Sequence, residues 1–111
     1  MATFSTEEQN TAITSADTTT VLSALSDTAD EARIKAGMMM IRNKGAADNI
    51  ITVQKDVSAT NYEVSEFTLA AGEEWLNPWD MVIAGTASTI EVVTSSTSAI
   101  DVVIGFIKKV A

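Results

Sequence analysis

The stretch Ala99-Ile100-Asp101-Val102-Val103-Ile104-Gly105-Phe106-Ile107-Lys108 decides the fold class. Ile100, Val102, Ile104 and Phe106 alternate with Asp101, Val103, Gly105 and Ile107, so the segment has a period of two and reads as a strand. Its second face is also largely apolar, which an isolated two-sheet domain does not require.

Working back from it, turn signals separate further strand-length segments. Gly85-Thr86-Ala87-Ser88 and Ser95-Ser96-Thr97-Ser98 bracket Thr89–Thr94, and Trp79–Ala84 precedes them. Tyr62–Leu69 follows Ser58-Ala59-Thr60-Asn61, Asn49–Asp56 follows Lys44-Gly45-Ala46-Ala47-Asp48, and Thr18–Leu25 is rich in Thr and aliphatics. About seven or eight short strands with turns between them predict a small all-β domain, an antiparallel β-sandwich or jelly-roll-like fold. Asp30–Lys44 also fits a helix, because Thr28-Ala29-Asp30-Glu31 forms a capping box and Ile34, Met38 and Ile41 share a helical face. The strand reading is favoured; it puts Ile34, Ala36, Met38 and Met40 on one side, with Gly37 at a bulge.

A chain of 111 residues holds one domain, since single cores take roughly 100 to 150 residues. Residues 1–12 are polar apart from Phe4 and are expected to form a flexible N-terminal arm, with the sandwich spanning 13–111. There is no cysteine, hence no disulfide. The net charge is −8, which opposes association with a phosphate backbone, so no nucleic-acid partner is expected. No membrane is expected either, because no run approaches the ~20 apolar residues of a span. Met1–Glu8 lacks a signal peptide's basic and apolar regions, so the chain is expected in the cytosol until it is built into something larger.

The chain has no histidine, which removes Ser-His-Asp catalysis and imidazole metal ligation. Glu73-Glu74 follows the turn signal Ala70-Ala71-Gly72 and reads as rim charge. Asp27, Asp30 and Glu31 lack the spacing of a calcium loop. Neither an enzyme nor a cofactor is expected. Both tryptophans and the one proline stand in Trp75-Leu76-Asn77-Pro78-Trp79, which places two large rings near a turn. Core packing, a subunit interface and, with Asn77, a carbohydrate platform remain open for them. Apolar residues on nominally outward positions include Met39 and Ile41, Ile50, Val82, Val93, Val103 and Ile107. Met39, Ile50, Trp75, Trp79, Val93, Val103 and Ile107 are therefore the candidate interface residues.

From Asp27 to Val110 the order of segments resembles small β-sandwich virion proteins of tailed bacteriophages. The resemblance is carried by Ala32–Asn43 leading through a small-residue turn into Ile50-Ile51-Thr52-Val53. Phe67-Thr68-Leu69-Ala70-Ala71-Gly72-Glu73 and the final Ile100-Asp101-Val102-Val103-Ile104 complete it. It implies a capsid decoration or cement protein, or a tail, baseplate or head-fibre component. The implied partners are its own copies, as a homotrimer, and the major capsid protein.

Overall fold

The structure is a computed structural model and describes residues 2–110. Ten strands follow one another: β1 Thr3–Ile13, β2 Thr18–Leu22, β3 Glu31–Ile34, β4 Met39–Asn43, β5 Asn49–Val57, β6 Thr60–Leu69, β7 Glu74–Leu76, β8 Met81–Ala84, β9 Ser88–Thr94 and β10 Ile100–Val110. All pairings are antiparallel, and the strands form two sheets packed as a sandwich. The all-β expectation holds, and Asp30–Lys44 is extended rather than helical.

Strand β10 is the axis of the first sheet, sheet A. One edge pairs with β1 from Ile100 to Val110; the other is shared, with β4 along Ile100–Ile104 and β3 along Ile107–Lys109. β3 and β4 are thus two halves of one pass beside β10, and β8 and β7 flank them as two halves of another. With each interrupted pair counted once, the chain makes eight passes. Sheet A has the order 1-8-3-6, and the second sheet, sheet B, has the order 2-7-4-5, from β2, β9, β5 and β6. That is the strand order of a jelly roll.

The interruption has a definite cause. Between the pairs Arg33↔Ile107 and Met39↔Ile104, six steps of chain lie opposite three. The surplus is taken up by Lys35-Ala36-Gly37-Met38, where Gly37 has φ +82°, a conformation that costs a side-chain-bearing residue about 1 kcal/mol or more. Buried Asn77 holds this loop. Its amide donates to the Lys35 and Trp79 carbonyls at 3.0 and 2.9 Å, and its Oδ1 accepts from the Met39 N–H at 2.8 Å. The odd surplus inverts the inside-outside phase. Ile34 and Met39 both point into the core, and Met40 points out.

This corrects the expected facing of the segment: Met39 and Ile41 are fully buried rather than outward. The arm expected over residues 1–12 is likewise, from Thr3 on, strand β1; Met1 lies outside the described residues. Backbone pairing with β10 needs no apolar side chains, and Thr3–Glu8 remain exposed.

Two further buried amides tie the far end. Asn43 donates to the Ala47 and Leu69 carbonyls and accepts from the Gly45 N–H and the Ser98 hydroxyl. Asn49 donates to the Ser96 and Ser98 carbonyls and accepts from the Ser95 and Ser96 N–H groups. The core between the sheets is aliphatic, with Ile34, Ile41, Ile51, Ile83, Ile90 and Ile104 fully buried.

Replacing Asn77 by Ala strands two carbonyls and one N–H, so denaturant unfolding of Asn77→Ala is expected to show a loss of about 3 kcal/mol. Exposed Asn61→Ala should stay within about 0.5 kcal/mol. At the β5–β6 hairpin, Ser58 and Ala59 have φ of 50° and 67°, values that suit Asn-Gly in a two-residue turn. The double change Ser58→Asn, Ala59→Gly is expected to stabilise the fold by about 1 kcal/mol, read as a raised Tm.

Candidate assembly interface

Residues opposite one another in an antiparallel pair share a face, so the registers define the outer surface of sheet A. From β1 across to the far edge its rows read Ala12–Asp101–Arg42–Glu74, Asn10–Val103–Met40–Leu76, Thr6–Ile107–Arg33–Val82 and Phe4–Lys109–Glu31–Ala84. Between the second and third rows the Gly105 N–H donates to the Met38 carbonyl at 2.9 Å. A Cβ on Gly105 would stand 3.3 Å from Met38 Cε, so the missing side chain leaves room for that methionine.

Val103, Met40, Leu76, Met38, Ile107 and Val82 therefore form an apolar band across the middle of the sheet. Ion pairs bound it on both sides: Arg42–Glu74 at 2.7 Å and Lys44–Asp101 at 3.1 Å along one margin, Lys109–Glu31 at 4.0 Å along the other. Such exposed pairs add little stability, about 0 to 1 kcal/mol each. An apolar centre with a polar rim is the anatomy of a protein interface. Two surface depressions open on this face, one lined by Phe4, Arg33, Lys35 and Ile107 among others, the second by Asn10, Ala12, Met40 and Val103.

The candidate residues from the sequence divide. Val103 and Ile107 lie in the band. Ile50 and Val93 are on the outer face of sheet B, where Val93 stands between Thr18 and Thr52. Met39 is core. Trp75 faces inward and stacks on Phe67, with ring centroids 4.9 Å apart, closing the sandwich between the edge strands β6 and β7. Trp79 is half exposed in the β7–β8 turn. Asn77 is buried and gives both amide hydrogens to backbone carbonyls, so it presents no donor to a sugar. Sequence reasoning missed Met40 as an outward residue, because the phase change at Lys35–Met38 decides it, and with it missed Leu76, which lies opposite Met40. Met38 is half-buried, packing against the core while its Cε lies by Gly105.

No family model and no curated protein sequence matches the chain. Solved structures share its fold. A chain of the T13 viral particle of infectious bursal disease virus is similar with a TM-score of 0.59 at 16% identity, over 97% of this chain and 30% of that one. A chain from Bacillus endospore appendages, described as disulfide-linked pili, has a TM-score of 0.57 at 10% identity, over 98% and 88% of the two chains. The Drosophila NLP core, described in terms of pentamer formation and histone binding, has 0.58 at 7%, over 91% and 95%. At these identities the likeness is one of fold. The chain spans about a third of the length of the viral chain.

Adjacent methionines separate core from surface. Met39→Asp is expected to cost about 4 kcal/mol or more by burying a carboxylate in the core, whereas Met40→Asp should leave the Tm within a few degrees, as read by circular dichroism.

Proposed function

We propose that this chain is a structural subunit of a bacteriophage particle, a decoration or cement protein that acts as a homotrimer on the major capsid protein. The observation that carries this is the apolar band of sheet A, bounded by ion pairs and set on a rigid sheet rather than on loops. Its work is mechanical. Covering apolar surface contributes about 25 cal/mol per Å², and repetition of one contact over a lattice multiplies a modest affinity. The fold's occurrence in a viral particle, and in a protein described as a pentamer, supports a role in repeated assembly. The appendage protein, which matches over nearly the whole of both chains, supports a second reading as a fibre or tail component.

Purified chain is expected to self-associate with concentration in sedimentation velocity and to bind capsids of the encoding phage that lack it. Val103→Asp should abolish both with its melting curve unchanged. A chain that stays monomeric at millimolar concentration and leaves such capsids bare would refute the proposal.

A further inference from the structure

The two outer faces differ in charge: that of sheet B is acidic, whereas that of sheet A sets five basic residues beside Glu8, Glu31, Glu74 and Asp101. On sheet B the rows read Thr18–Val93–Thr52–Glu66 and Thr20–Glu91–Gln54–Glu63, with Asp56 opposite Thr89. These rows bring four carboxylates and no Lys or Arg. Gln54 donates to Glu91 at 2.8 Å, holding that carboxylate near the middle of the face. In contrast, Arg33, Lys35, Arg42, Lys44 and Lys109, five of the chain's seven basic residues, stand on or beside the outer face of sheet A.

Three of these five are matched on their own face, by Glu74, Asp101 and Glu31. Arg33 and Lys35 enter no ion pair among the described residues. Arg33 is exposed between Ile107 and Val82 in its row. A guanidinium among apolar side chains gains most when a partner excludes water and supplies a carboxylate. The nearby Glu31 already lies beside Lys109, and Glu8, opposite Gly105 on the same face, accepts a hydrogen bond from Asn10; neither pairs with Arg33, and another surface can supply that carboxylate.

We propose that the surface is the outer face of sheet B on a second copy of this chain, with Arg33 and Lys35 of one copy set against Glu66 and Glu91 of the next. This rests on the outer face of sheet A being an assembly surface, and adds what covers it. The contact joins two different patches, so it passes from copy to copy. It closes into a ring, such as a trimer, where the rotation closes, and otherwise extends as a filament. Two copies of the sheet B face repel each other, whereas the A-on-B arrangement sets the unpaired Arg33 and Lys35 against part of that acidic charge.

Charge exchange between copies tests it. Arg33→Glu alone, and Glu66→Lys with Glu91→Lys alone, are each expected to weaken self-association at least tenfold in sedimentation velocity, with melting curves unchanged. An equimolar mixture of the two variants should recover association between unlike copies, because each then offers the face that the other lacks, although a closed trimer would keep one mismatched contact of three. Sodium chloride at 0.5 M should weaken the wild-type contact as well. If Val103→Asp and Arg33→Glu dissociate the chain but the sheet B variant does not, sheet A meets itself or another protein and the inference fails while the assembly reading stands. If Val103→Asp has no effect on association, both fail.

Discussion

One side-chain amide sets the phase of the molecule. Asn77 bridges the interruption in the pass beside β10, joining the Lys35 and Trp79 carbonyls and the Met39 N–H through a single buried amide. Without an interruption, the positions after Ile34 would alternate so that Met40 entered the core and Met39 and Ile41 faced water. With it, Met39 and Ile41 pack inside while Met40 joins Val103 and Leu76 outside. The core and the apolar outer band are thus two consequences of one local insertion. The neighbouring pass breaks at the matching level, at Asn77–Asp80, because a ladder is kept only when both partners step aside together.

The same economy recurs at the corners. Asn43 and Asn49 each use both amide hydrogens and the carbonyl oxygen on loop backbone. Thr94 bonds the Ser15 carbonyl through its hydroxyl and the Asp17 carbonyl through its N–H. Buried polar groups cost free energy unless paired, so these residues exchange local loop freedom for fixed corners, and the strands between them are left to aliphatic packing. A domain without cysteine is held in this way by saturated amides at its ends and a dry core at its centre.

Much of this was legible from the residues. The period of two in Ile100–Phe106, and the turns at Gly85–Ala87 and Ser95–Ser98, mark β10 and β9 correctly, because each strand has one buried face and one partner on either side. Two things were hidden. β1 has almost no apolar signal, since its contribution is a backbone edge to β10, and a row of N–H and C=O groups leaves no mark on composition. The parity of Met38–Ile41 depends on how many residues the loop absorbs, a quantity set by Asn77 some forty positions away. The expected facing was therefore right in part: Val103 and Ile107, in an uninterrupted strand, do face outward, and Met39, beyond an interruption, does not.

A net charge of −8 bears on assembly less through its total than through its placement. At physiological ionic strength charges are screened beyond about 8 Å, so two approaching copies respond to the faces they present rather than to each other's sum. Of the acidic side chains on the outer face of sheet A, Glu74, Asp101 and Glu31 are matched by Arg42, Lys44 and Lys109, and Glu8 stands at the β1 edge. The band is thus the region where a neighbour meets the least repulsion and finds the most apolar surface. An isolated contact of that kind is weak and dependent on salt. On a lattice, where each copy is already held close to the next, the effective concentration makes up the difference. The proposed assembly would act through two faces held at a fixed angle by the core, and the buried amides at the corners supply that rigidity.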